Sequence, residues 1–142
     1  MKQFKYFTLA ELLKSRKAAE FNIDNTPTFE VVEHLAELTD KILEPLRAAY
    51  GKPIYVSSGY RCPKLNKLVG GSQTSGHLRG DAADLQAKDM AGFKKFITAF
   101  LKAGCVRFDQ CLLERKGNDE WVHISIYSAS GSQRGIIQSL NV

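Results

Sequence analysis

Two histidines and one aspartate are the residues of this chain whose types best suit metal chemistry. His77 ends a glycine-rich segment, Asp84 follows it by seven residues, and His123 lies far along the chain. Two imidazoles and a carboxylate are a ligand set for catalytic zinc, since three protein ligands leave a fourth position open for water. The metal lowers the pKa of that water towards neutrality. The spacing alone also permits a hydrogen-bonding loop histidine and an Asp84 that pairs with Arg79.

Strand alternation predicts that these side chains meet. Residues two apart in a strand share a face. In residues 121–127 the even positions are apolar, and His123 belongs to the other, polar face. The same alternation places Asp84 and Glu114 on the polar faces of their own predicted strands. We therefore expect one open face of a sheet to carry the side chains of Asp84, Glu114 and His123.

The remaining patterns predict the elements that position this face. Apolar periodicity and capping signals predict four helices, at 8–19, 28–50, 62–69 and 89–101. Alternation predicts four strands, at 54–57, 82–86, 108–114 and 121–127. The glycine-rich stretch before Asp84 is a predicted loop, and residues 128–142 are rich in Ser and Gly, with one apolar patch. The fold class is α+β, with a small central antiparallel sheet packed by helices on one face and the zinc site on the other.

Composition favours a soluble globular protein with one domain over residues 1–142, since 44% of residues are hydrophobic and 25% are charged. The net charge of +5 favours polyanionic partners. The basic residues are scattered and do not alternate with aromatics on one face, so we expect no nucleic-acid partner. The three cysteines are irregularly spaced and suit small buried hydrophobes in a chain made in a reducing compartment. Neither a signal peptide nor a transmembrane segment is predicted.

A longer pattern occurs in three ordered pieces. These are Ser58-Gly59-Tyr60-Arg61; then Asn66, Gly70-Gly71, Ser75, His77, Gly80, Ala82 and Asp84; and finally Trp121-Val122-His123. Together they resemble the M15 family of D-alanyl-D-alanine carboxypeptidases and related cell-wall endopeptidases, which includes phage endolysins. The resemblance covers about Tyr55 to Tyr127, half of the chain.

The resemblance implies a role for several residues. His77, Asp84 and His123 would bind one zinc ion. Arg61 would bind a substrate carbonyl or carboxylate and stabilise the transition state, a role that suits a forked, permanently charged donor. The alternative for Arg61 is a buried pair with an acidic neighbour. Ser75 would lie beside the metal and orient a ligand or contact substrate, or else cap its loop.

The resemblance also implies a substrate contact for Tyr60 and an acidic general base. In several family members the base lies three residues before the last histidine, a place that Glu120 fills here. Glu114, on the partner strand, is the competing candidate. We favour Glu120, on the argument that a general base must reach the water at the metal.

The expected function is hydrolysis of D-amino-acid-containing peptide bonds in bacterial peptidoglycan by water that zinc activates. Removal of a terminal D-alanine and cleavage inside the peptide both remain open. We expect a monomer that is made in the cytoplasm without a signal peptide and acts on the cell wall, with phage-type lysis as a route of release. One alternative is a catalytically silent, zinc-containing module that binds wall peptide. The other is a small nucleic-acid-binding protein, which only the charge favours.

Overall fold

The structure is a computed structural model that describes residues 3–142. Its α-helices are α1 Leu9–Leu13, α2 Arg16–Glu20, α3 Phe29–Leu38, α4 Glu44–Tyr50, α5 Pro63–Leu68 and α6 Met90–Lys102. Its strands are β1 Tyr55–Ser58, β2 Ala82–Gln86, β3 Gln110–Lys116, β4 Asp119–Ser125 and β5 Ile136–Asn141. Within residues 3–142, no helix has the length and apolarity needed to cross a membrane.

The five strands form one sheet in the order β1-β2-β4-β3-β5. The pairings among the first four strands are antiparallel, as predicted. β5 pairs with β3 in parallel, so the sheet as a whole is mixed. The predicted α+β class is confirmed, and the Ser- and Gly-rich tail adds a strand that was not predicted.

The hydrophobic core lies between the helices and one face of the sheet. Leu85, Val122 and Ile124 are the sheet residues at its centre, and Leu35 of α3 and Ile97 of α6 meet them within the same buried cluster. All five are completely buried. Their positions follow the alternation of the strands and the periodicity of the helices, so the opposite sheet face is left free for polar side chains.

Two predicted helices are divided in the structure. The first splits because Ser15 interrupts it and caps α2, where its side chain accepts a hydrogen bond from the Ala18 N–H. In the second, a π-helical turn at Thr39–Leu43 separates α3 from α4 and comes just before Pro45. Proline has no N–H to donate to the preceding turn, so a local change of helical register at this point has a physical cause.

Candidate metal centre

His77, Asp84 and His123 meet on the open face of the sheet. The register of β2 and β4 places Asp84 directly opposite His123, and the 3₁₀ turn Gly76–Leu78 brings His77 to them. Asp84 Oδ1 lies 3.2 Å from His77 Nε2 and 2.9 Å from His123 Nδ1. The three candidate ligand atoms all lie within 4.8 Å of one another. Such a cluster can hold a single metal ion.

The hydrogen bonds of His77 show which of its nitrogens would face that ion. Its Nδ1 lies 2.7 Å from the carbonyl oxygen of Gly59. A carbonyl only accepts hydrogen bonds, so Nδ1 carries the proton. Nε2 then faces the carboxylate of Asp84 at 3.2 Å and is the nitrogen placed to bind a metal cation. Metal-binding histidines commonly donate their second ring N–H to a backbone carbonyl, so the residues fit a metal such as zinc.

Asp84 is held in its ionised form. Burial would raise the pKa of its carboxyl, but the charge and hydrogen bonds of His77 and His123 outweigh that effect and lower the pKa well below its ordinary value. The Asp84 and His123 side chains are 16% and 15% exposed, whereas that of His77 is 2% exposed. Carboxylates coordinate metals in the deprotonated form, so Asp84 is ready to act as a ligand.

Two glycines of the motif allow the chain to pass closely enough to build this centre. At Gly59 an added Cβ would collide with the backbone carbonyl of Leu12, so any other residue would displace the segment whose carbonyl binds His77. Gly80 has a φ of +77°, and a Cβ there would lie 2.8 Å from the Val31 carbonyl oxygen of α3. Such backbone approaches favour glycine, which explains both positions physically.

A polar network centred on the buried Asp81 ties the His77 loop to α3. Arg79 Nε donates to Asp81 Oδ2 at 3.1 Å, and Asp81 Oδ1 lies 3.3 Å from His34 Nδ1. Burial raises the pKa of Asp81, while His34 and Arg79 act to lower it. Sequence reasoning did not anticipate this network, because the pairing of His34 with the loop joins residues more than forty positions apart and leaves no local pattern.

Arg61 lines the same cleft as the three candidate ligands. This ligand cleft has a volume of about 560 Å³. Arg61 Nη2 donates to Ser75 Oγ at 3.4 Å, and its buried Nε has no hydrogen-bond partner among residues 3–142. Burial lowers the pKa of Arg61, and the negative charge of Asp84 opposes that effect. Because Arg61 lines the cleft and its guanidinium carries several donors, it is placed to bind an oxygen atom of a substrate.

Ser75 takes the capping role, one of the alternatives that the sequence left open. Its Oγ accepts a hydrogen bond from the His77 N–H at 3.2 Å, so it caps the 3₁₀ turn that carries the histidine. It also lines the ligand cleft beside Arg61. Capping is therefore observed, and contact with substrate stays a prediction.

Tyr60 does not line the ligand cleft, and this corrects its predicted role in substrate binding. Its side chain is 5% exposed and belongs to the hydrophobic core. Its N–H donates to the Leu12 carbonyl at 2.8 Å, and its carbonyl accepts from Asn25 Nδ2 at 3.0 Å. Burial of the large aromatic ring anchors the segment that carries Arg61, so Tyr60 supports the site from the core side.

Glu114 lies in the ligand cleft on the face that carries His123. Trp121 Nε1 donates a hydrogen bond to Glu114 Oε2 at 2.8 Å. This contact fixes the orientation of the carboxylate beside the candidate ligands. Nothing in the sequence pattern pointed to the indole as its partner, although the hairpin register sets Glu114 and Trp121 opposite each other.

Glu120 lies on the other face of the hairpin, and this corrects the preference for it as the base. Its Oε1 is 2.8 Å from Lys94 Nζ of α6 and 3.2 Å from an Arg115 side-chain nitrogen. Hydrogen bonds from these two cations lower the pKa of Glu120, and the one from Lys94 has the larger effect. A residue three positions before His123 in a strand points to the opposite face. Strand alternation in the sequence therefore already indicated that Glu120 faces away from the site, because Glu120 shares its face with Val122.

The fold and the site together indicate the class of protein to which the chain belongs. An open cleft with two imidazoles and a carboxylate around one point, beside an arginine and a second carboxylate, is the arrangement of a metal-dependent hydrolase. The family model of peptidase M15 matches residues 5–125, and the chain belongs to this family. The sequence-based resemblance is therefore confirmed, and membership supports a zinc metallopeptidase. None of the curated proteins matches the chain.

Proposed function

We propose that this chain is a zinc-dependent peptidase that hydrolyses D-amino-acid-containing peptide bonds of bacterial peptidoglycan. The observation that carries the proposal is the convergence of three ligand atoms within 4.8 Å of one another, in a cleft that also holds Arg61 and Glu114. His77 through Nε2, Asp84 through Oδ1 and His123 through Nδ1 would hold the ion. Zinc bound there would polarise the scissile carbonyl and activate the attacking water.

Glu114 acts as the general base in this proposal. It lines the ligand cleft, and its Oε2 is occupied by the Trp121 indole, so Oε1 takes the proton from the attacking water. The same carboxyl then delivers that proton to the leaving nitrogen. An ordered indole contact limits the rotamers of Glu114, and a fixed base needs less reorganisation during the reaction.

Arg61 acts on the substrate oxygens. Its side chain lines the cleft, where Nη2 donates to Ser75 Oγ. Donation to the scissile carbonyl, or to a nearby carboxylate of the peptide, would strengthen as negative charge develops on oxygen. Because the guanidinium is prepositioned by Ser75, it needs little rearrangement to do so.

Family membership supports a peptide substrate, and the cationic residues of the cleft suit an oxygen-rich one. Lys116 lines the cleft together with Arg61, so two positive side chains face the space beside the metal site. Stem peptides of peptidoglycan carry carboxylates and many carbonyls. In this proposal the protein acts on the cell wall after lysis. It works as a monomer with one domain over residues 1–142, and it binds neither nucleic acid nor a membrane.

Mass spectrometry of digested peptidoglycan tests this function. Purified walls of several chemotypes would be incubated with zinc-loaded protein and, in parallel, with protein treated with a chelator. We expect new peptide termini that appear only with the zinc-loaded protein, and their masses identify the bond. If zinc is bound and no chemotype yields new termini, the peptidase is excluded and a module that binds wall peptide without cutting it takes its place.

A further inference from the structure

We propose that the substrate-binding groove continues past the metal site into a second cleft, here called the C-terminal arm. Residues after position 125, where the family match ends, form much of its wall. This C-terminal arm would hold the peptide on the other side of the cut bond, so the chain would cleave inside peptides. The inference rests on the proposed peptidase function and adds to it a binding subsite and a choice of bond.

Two clefts meet at the metal centre. The ligand cleft holds Arg61 and Glu114, and the second cleft has a volume of about 390 Å³. Four residues line both of them: Thr74, Gly76, Gln110 and His123. A peptide bond at the metal site therefore has open space on each side, which an extended substrate would fill in both directions.

Residues after position 125, where the family match ends, form much of the wall of this arm. Ser128, Ala129, Ser130 and Arg134 line it. A domain restricted to the matched residues would lack these side chains, and the groove would be open there. The C-terminal segment therefore supplies a large part of the surface that a ligand in this arm would contact.

An ion pair fixes the arm to the sheet. Arg134 donates from Nε to Asp109 Oδ1 and from Nη2 to Asp109 Oδ2, both at 2.8 Å, and its backbone N–H donates to Oδ1 at 3.1 Å. Asp109 is 2% exposed, and the Ile136 N–H donates to its carbonyl just where β5 begins. Because the wall is already ordered, a ligand need not supply the free energy to order it.

The lining of the arm indicates an uncharged, polar peptide segment. The charge of Arg134 is balanced by Asp109, and that of Arg79 by Asp81. The hydroxyl groups of Ser128 and Ser130 lie 3.0 Å apart at its rim. Hydroxyl and guanidinium groups offer hydrogen bonds to peptide carbonyls without demanding a charge. Pockets of roughly 300–1,000 Å³ take ligands of drug size, so the arm accommodates more than one small terminal residue.

Substitutions in the tail separate this arm from the rest of the groove. Ala129 is exposed on the turn that lines the arm, so Ala129→Phe would fill it. Ser139→Phe is the matched control, because Ser139 is exposed on β5 and lines neither cleft. The two probes are a cross-linked dimer of stem peptides and a single stem peptide that ends in D-alanyl-D-alanine.

We expect Ala129→Phe to raise KM for the cross-linked dimer by about tenfold or more, with kcat little changed, since the loss of a well-fitted contact costs 10-fold to 200-fold. Ser139→Phe should behave as the unsubstituted protein. If KM for cleavage of the dimer is the same in both variants as in the unsubstituted protein, the proposal is overturned. Release of terminal D-alanine alone, with no cut inside either probe, would overturn it as well and leave the peptidase function standing.

A binding measurement gives a readout that is independent of turnover. The zinc-loaded Glu114→Gln protein, labelled with ¹⁵N, would be titrated with the cross-linked dimer. We expect amide shifts in residues 128–134 together with residues 72–75. Shifts confined to residues 72–75 contradict the arm. If both segments shift while the unsubstituted protein cuts no wall peptide, the arm is supported and the proposed peptidase fails.

Discussion

The two faces of the central sheet have opposite chemistry although the same strands supply both. On the helix side, Leu85 and Ile124 are completely buried among apolar side chains. On the open side, their neighbours Asp84 and His123 form a polar centre at the junction of two clefts. Burial of apolar area supplies the stability, so the open face can hold charged groups whose desolvation would otherwise cost free energy.

The two glutamates of the β3–β4 hairpin repeat this comparison on a smaller scale. Glu120 is closer in sequence to His123, yet it pairs with Lys94 on the helix side. Glu114 is farther from His123 in sequence, yet it lies in the ligand cleft and accepts a hydrogen bond from Trp121. Strand parity, and not distance along the chain, decides which side chain can serve the site.

The largest expected effects come from substituting two adjacent residues of β2, Asp84 on the open face and Leu85 on the core face. Asp84→Asn should abolish zinc binding and hydrolysis while the protein stays folded, because it removes a ligand charge from the open face. Leu85→Ala should keep zinc binding but lower the free energy of unfolding by about 2–5 kcal/mol, the range for such truncations in a core. Elemental analysis after dialysis, activity assays and urea unfolding measure the three quantities. Equal zinc content in both variants would contradict the separation of the faces.

The two glutamates provide a matched pair for the second prediction. Glu114→Gln should lower kcat by about 10²-fold to 10⁴-fold, the usual contribution of a general base, with zinc content unchanged. Glu120→Gln should leave kcat close to that of the unsubstituted protein, because its partners lie on the helix side. Steady-state kinetics on the peptide identified by mass spectrometry decide between them. A reversed order of the two effects would restore Glu120 as the base.

A smaller effect is expected where the C-terminal arm joins the sheet. The hydrogen bond from the Arg134 side chain lowers the pKa of Asp109 below its ordinary value of 3.8, and this outweighs the opposing effect of burial. Because the pKa is lower in the folded state than in the unfolded state, the stabilisation is complete above the unfolded pKa and is lost as pH falls through the folded one. Asp109→Asn should therefore cost about 1–3 kcal/mol at neutral pH.

Urea unfolding at a series of pH values measures this dependence. The difference in unfolding free energy between the unsubstituted protein and Asp109→Asn should shrink as pH falls below about 3.8. Asp119→Asn is the control, since Asp119 is exposed at the start of β4. A difference that stays constant with pH would show that the ionised carboxylate is not the source of the stabilisation.

Sequence patterns predicted most of the elements and the three candidate ligands, because these leave local signals. β2 was predicted with its observed ends, and the alternation around His123 gave the correct face. The fifth strand was missed because residues 136–141 are partly exposed and do not alternate between apolar and polar. Its pairing depends on the edge of β3 and on the Asp109–Arg134 contact. Such contacts between distant residues leave no period in the sequence.

By itself, then, the sequence determined what depends on short-range order: residue types, alternation, capping and the tight turns that only glycine permits. Those features specify an α+β fold and bring His77, Asp84 and His123 into one predicted set. Strand alternation also carried the information on which glutamate faces the cleft. Only the tertiary structure decided that Tyr60 is buried in the core and that the C-terminal tail lines a second cleft. These outcomes depend on strand register and on packing between residues far apart in the chain, which the local pattern does not encode.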